Sequence, residues 1–207
     1  MRNDTRELLL EVALELFATK GYHATKVSNI VKQAGVAQGT FYWHFQSKSE
    51  IAVTIMEDGK AKLLDVIREG YRRDIGNVSD MLQSSKNLVQ HLFTYANHNR
   101  YLMILLFQKG HGGDEPLRKA VSETIMAIEA EFANNIQRAI DLNMLANRDS
   151  VDLQAQILTS FFTGILSRWL FGPLNKLDHT PNTSIDDIAE EIVRYEFFGL
   201  IGSGGKI

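Results

Sequence analysis

A chain of 207 residues, 44% of them hydrophobic, holds enough apolar material to bury a core of its own, which excludes disorder over most of its length. Cysteine is absent, which excludes a disulfide framework and thiolate chemistry, and the longest apolar run, Leu102–Phe107, is far too short to cross a bilayer. The net charge of −3 hides an asymmetry, since residues 1–48 carry six basic and four acidic groups, a net +2 that leaves −5 on the remainder.

A mildly basic head on an acidic body favours contact with DNA through the head. Met1–Glu7 is charged and polar, unlike a secretory leader, so the expected compartment is the reducing cytoplasm, with no membrane partner. Asp4 and Glu7 resemble a capping box, and Leu9, Val12, Ala13, Leu16 and Phe17 then recur at the spacing of an amphipathic helix that Gly21 ends. Thr25 is the expected N-cap of a second helix with Val27, Ile30, Val31 and Ala34 on one stripe, and Gly35 closes it in the left-handed conformation. A third helix starts near Ala37. At about 100° per residue, Phe41 and Phe45 fall on one face while Trp43 points away. The presented face holds Gly39, Thr40, Tyr42 and Trp43, with Gln38 at its start and His44 on its flank. Two short helices joined by a tight glycine turn form a helix-turn-helix, whose second helix enters the DNA major groove.

Ser47 and Glu50 cap a long helix expected to run to about Arg72, with Lys48 in its first turn, where backbone amides favour a phosphate. Further helices are expected over Ser79–His98 and Arg100–Lys109, the second short and very apolar. The loop Gly110–Asp114 precedes a helix that starts around Pro116 and ends near Leu142. Asp149 or Ser150 opens a helix to Phe171 that is apolar over more than one stripe, with Ser160 and Gly164 as small residues four apart. Ser184 caps a last helix through Ile185, Ile188, Ile192 and Phe198, and the final glycine-rich stretch is expected to be disordered. Because each buried methylene is worth about 0.8 kcal/mol, the excess apolar surface of the last two helices points to subunit pairing; the alternative is that they form the core of one subunit.

The segment GVAQGTFYWHFQSKSE, with Gly21, Tyr22, Thr25 and Val27 upstream, resembles the TetR (tetracycline-repressor-like) family of bacterial transcriptional regulators over the first 50 or so residues. The resemblance implies an all-α fold in three parts. Residues 1–48 form the helix-turn-helix domain, 49–201 a larger inducer-binding and dimerisation domain, and 202–207 a tail. It implies a ligand-responsive regulator, most often a repressor, that binds a pseudopalindromic operator as a homodimer through its two C-terminal helices and is released by a small-molecule inducer. Carried over by position in the motif, the DNA-contacting residues are Gln38, Thr40, Tyr42, Trp43, His44 and Lys48, with Gly39 for close backbone approach and Thr25 and Lys26 on phosphate. In chemistry, Gln38 suits adenine and Thr40 a base edge or thymine methyl, whereas Thr25, Lys26, Tyr42, His44 and Lys48 donate to phosphate. Trp43 suits a sugar or thymine methyl; the bland alternatives are a local bond for His44 and burial for Tyr42 and Trp43. Gln46 stands where the family often has lysine.

Candidate inducer contacts are the aromatic and adaptable residues Phe93, Met103, Phe107, Met126, Phe161 and Trp169, with His98 or Arg100 as a polar partner; for each the alternative is core packing. No cofactor or metal is expected. The chain contains no Walker loop, no G-x-S-x-G and no H-E-x-x-H, so an enzyme is not the reading, and the surviving alternative is a helical small-molecule-binding or adaptor dimer that does not touch DNA.

Overall fold

In the computed structural model, residues 2–70, 76–145 and 150–200 are described. Among them lie α1 (Arg2–Lys20), α2 (Val27–Ala34), α3 (Gln38–His44), α4 (Lys48–Glu69), α5 (Val78–His98), α6 (Arg100–Ile104), α7 (Glu115–Asp141), α8 (Val151–Phe171) and α9 (Ile185–Phe198). The fold is all-helical. By compactness the chain divides into two units, Met1–Lys62 with Asn99–Met126 and Leu63–His98 with Ala127–Ile207. The helix-turn-helix segment therefore packs within a larger unit that also takes in the start of α4, α6 and the first half of α7.

In the first unit α1 is the centrepiece and packs against α2, α6 and the segment after α6. Its stripe of Leu9, Val12, Ala13, Leu16 and Phe17 is buried, and so are Ile30, Phe41 and Phe45 from α2, α3 and the turn beyond. Gly21 at φ +92° and Gly35 at φ +67° end the first two helices, conformations that a side chain disfavours. The start of α1 is a correction: the helix already begins at Arg2, so Asp4 lies in its first turn, where a carboxylate favours the helix dipole, and does not cap it. The cap of α2 is a second correction. Lys26 occupies the N-cap position, its N–H donating to Asn29 Oδ1 at 2.9 Å, whereas the Thr25 hydroxyl turns inward.

Ser47 caps α4 as expected, its Oγ accepting from the Glu50 N–H at 3.0 Å, while the Glu50 carboxylate reaches back to the Gln46 N–H. The apolar stretch after Arg100 is not one helix. It changes at Leu105 into a π-helical turn, Leu105–Lys109, followed by a 3-10 turn over Gly110–Gly112. The closing bond runs from the Gly110 N–H to Leu105 O, and a Cβ on Gly110 would lie 2.4 Å from that same oxygen. Only glycine fits there.

In the second unit α5 packs along α9 and against α8. Phe93 of α5 lies 5.2 Å from Trp169 of α8, ring centre to centre, and Phe132 of α7 stacks on Phe162 of α8 at 5.3 Å. Arg68, near the end of α4, donates through Nε to Glu131 Oε1 on α7 at 2.8 Å, and Glu131 is buried. Ser150 and Ser184 cap α8 and α9, each accepting the backbone N–H three residues on. The expected end of α4 near Arg72 and the glycine-rich tail lie outside the described residues, where α4 is followed as far as Glu69.

Candidate functional site

The third helix sorts its side chains as its angular pattern requires. Phe41 is fully buried and Phe45 nearly so, 5.9 Å apart ring to ring, whereas Tyr42 and Trp43 are 52% and 57% exposed. Burying the first pair fixes how α3 seats, and the second pair is then turned outward. Arg6 of α1 lies 5.4 Å over the Phe45 ring and covers that pair from the other side. Gln38 and Gly39 are exposed at the open N-terminal end of α3, Thr40 is half-buried, and His44 sits edge-on to Trp43 at 4.4 Å. A Cβ on Gly39 would meet nothing within 4 Å, so this backbone can be approached closely. Lys26 is exposed at the start of α2. Six of the nine residues expected to contact DNA thus share one short helix, with Lys26 nearby.

The remaining two behave differently. Thr25 is fully buried, and its hydroxyl donates to Gly21 O at 2.8 Å and lies 3.3 Å from Leu16 O, so the expected phosphate contact by its side chain is replaced by an internal bond. Lys48 donates through Nζ to Tyr22 O at 2.8 Å and Thr25 O at 3.0 Å, and lies 4.0 Å from the centre of the Tyr22 ring. These bonds tie the first turn of α4 to the loop before α2 and leave one of three N–H donors for a phosphate.

Sequence reading missed what completes this cluster. The Tyr22 hydroxyl donates to Asp114 Oδ2, and Asp114 Oδ1 accepts the Leu117 N–H at 3.2 Å, so Asp114 caps α7 while holding Tyr22. Burial, then the bond to Asp114, push the Tyr22 phenol well above its ordinary range, and it stays a donor. Burial alone would raise the Asp114 carboxyl, but the bonds from Tyr22 and Leu117 and the Lys48 charge outweigh it and hold the group below the ordinary carboxylate range. Burial lowers Lys48 against the pull of Asp114. A partner 92 residues away leaves no local signal.

The second unit contains a cavity of about 510 Å³ walled by α5, α7, α8 and α9. Met81 and Leu88, Phe132 and Ile136, Leu158 and Phe162 line it, and Ser85, Arg138 and Glu196 bring polar groups. None of the expected inducer contacts lies in this wall. Phe93 and Trp169 pack on each other in the core, and the indole N–H donates to Thr183 O at 2.9 Å. Met103 is fully buried, Phe107 lies in the π-helical turn, and Met126 and His98 are exposed. Phe161 stacks on Tyr195 at 5.4 Å; the residue after it, about 100° round the helix, is the one that faces the cavity.

Residues 9–55 match the family described as bacterial regulatory proteins, tetR family, and residues 80–188 match the C-terminal region of the MAATS-type transcriptional repressors. A relative, the HTH-type transcriptional regulator AcrR of Shigella flexneri, is 26% identical over 172 residues, covering 82% of this chain and 80% of that protein. In fold the chain is similar to the fatty acid degradation regulator FadR of Bacillus halodurans, with a TM-score of 0.77, 17% identity, and coverage of 95% and 96% of the two chains. It is likewise similar to FadR of Bacillus subtilis, solved with stearoyl-CoA, at a TM-score of 0.76, 18% identity, and coverage of 94% and 98%.

Proposed function

Because this chain belongs to the tetR family of bacterial regulatory proteins, and is therefore a DNA-binding transcriptional regulator, we propose that it acts as an effector-released repressor. Two copies pair through α8 and α9 and set their α3 helices into successive major grooves about 34–36 Å apart on a pseudopalindromic operator. The observation that carries this reading is the sorting of α3: Phe41 is hidden, while Tyr42 and Trp43 stand in solvent beside Gln38 and an open Gly39. Two large aromatics turned outward side by side on so short a helix suit a surface that a partner covers. The site of action follows from the partner and is the cytoplasm.

The cavity of the second unit is the proposed effector site. Its volume and mostly apolar wall fall in the range of small-molecule pockets. The Bacillus subtilis fold neighbour was solved with an acyl-CoA, and an apolar chain is the ligand portion that this wall accommodates. Effector must favour the DNA-incompetent state by about 1–3 kcal/mol, and bound operator must weaken effector by the same factor. The lever is α4, held at its start by Lys48 and near its end by the Arg68–Glu131 pair.

A gel shift against the chain's own upstream region, with salt varied, tests the core of the reading. Saturable binding that protects a two-fold-symmetric site and quenches Trp43 fluorescence is expected. A protein that dimerises and binds small molecules without shifting DNA would favour the adaptor alternative.

A further inference from the structure

The cavity wall contains one group that its apolar character does not explain. Glu196 reaches it from α9 and is half-buried among Met81, Leu88, Leu158 and Phe162. Its carboxylate accepts a hydrogen bond from Ser85 Oγ at 2.7 Å and, among the described residues, is paired with no basic group. A carboxylate offers about four acceptor positions, and a half-buried one left without a counter-charge is expensive to keep. The other charged residue of the wall, Arg138, is exposed.

We propose that the cavity takes a lipophilic monocation, with Glu196 as its counter-ion; this rests on reading the cavity as the effector site. The apolar side chains of Phe132 and Phe162, stacked at 5.3 Å, receive the hydrocarbon part, and the Glu196 carboxylate receives the charge. An anion of the same shape would bring like charge against Glu196 in a weakly screened site. Burial pushes the Glu196 carboxyl above its ordinary range, with the Ser85 bond acting the other way, and a cation beside it would favour the charged form.

The test is calorimetric titration of the full chain with three probes of equal chain length, decyltrimethylammonium, decanoate and 1-decanol, below their aggregation concentrations. The cation should bind at least about tenfold tighter than the alcohol and the alcohol tighter than the carboxylate, and the cation should release operator in a gel shift. Glu196→Gln should erase the advantage of the cation and leave decanol binding unchanged. Decanoate binding as tightly as the cation to the unaltered protein overturns the charge assignment without recourse to any variant, as does unreduced cation binding by a folded Glu196→Gln. Binding of decanol with no preference for the cation sinks this inference alone. If no probe binds or releases operator, both the inference and the effector-site reading fall.

Discussion

Asp114 serves two donors with its two oxygens, the Tyr22 hydroxyl and the first-turn amide of Leu117. A hydrogen bond to a charged acceptor is worth about 1.5–3 kcal/mol, so Tyr22→Phe should lower stability by about 2 kcal/mol at neutral pH. The sign with pH follows from the depressed Asp114 carboxyl: its contribution is full above the ordinary carboxylate range and disappears as pH falls through its lower folded value. Urea unfolding of both proteins should therefore differ at pH 7 and converge in strong acid; a gap that persists there would show that packing rather than the bond is responsible. On α3, Gln38→Ala should cost about 1–3 kcal/mol at one base pair, and Tyr42→Phe should weaken every sequence alike, measured as affinity across an operator library. The outward set on α3 is legible in sequence because it depends on angle alone. Thr25 and Lys48 are not, because the carbonyls they bond are brought to them by the packing of α1 and its following loop.

Helix starts are written locally and were readable where a hydroxyl or amide precedes the first turn, as at Ser47, Ser150 and Ser184. The reciprocal pair at α5, in which Asn77 Oδ1 accepts the Asp80 N–H and Asp80 Oδ2 accepts the Asn77 N–H, belongs to the same class and starts the helix at Val78, one residue before the expected Ser79. The π-helical turn was not readable, since no residue type requires five-residue closure. Its requirement shows only at Gly110, where Gly110→Ala would force a Cβ against the Leu105 carbonyl. Overpacking of this kind costs about 1–3 kcal/mol, and the variant should melt at a lower temperature by circular dichroism with the helical spectrum otherwise kept. The cavity escaped for a related reason. Because α8 is apolar over more than one stripe, periodicity alone does not say whether Phe161 or Phe162 faces the cavity, and the two are distinguishable only once neighbours are in place.

For the whole molecule, Leu153, Ile157, Ser160 and Gly164 fall within about 60° of one another on α8 and are all exposed. A Cβ on Gly164 would meet nothing within 4 Å in a single copy. On the proposed pairing through α8 and α9, Gly164→Arg should leave each subunit folded and sediment as a monomer where the unaltered chain sediments as a dimer; a variant that still dimerises would place the pairing face elsewhere. The class of fold and the number of long helices follow from hydrophobic spacing, whereas the grouping of α6 and early α7 with the N-terminal helices does not. That grouping is written in contacts such as Tyr22–Asp114, between residues far apart in the chain.

The face of α3 that stands in solvent carries no lysine or arginine. Lys48, in the first turn of α4, has already committed two donors to backbone carbonyls. On the proposed docking, the counterions expelled come from flanking cations such as Lys26, while α3 itself brings uncharged amide, hydroxyl and ring contacts. Under the proposed repressor reading, affinity for the operator should therefore fall less steeply with potassium concentration than that of a regulator with arginine on its reading helix.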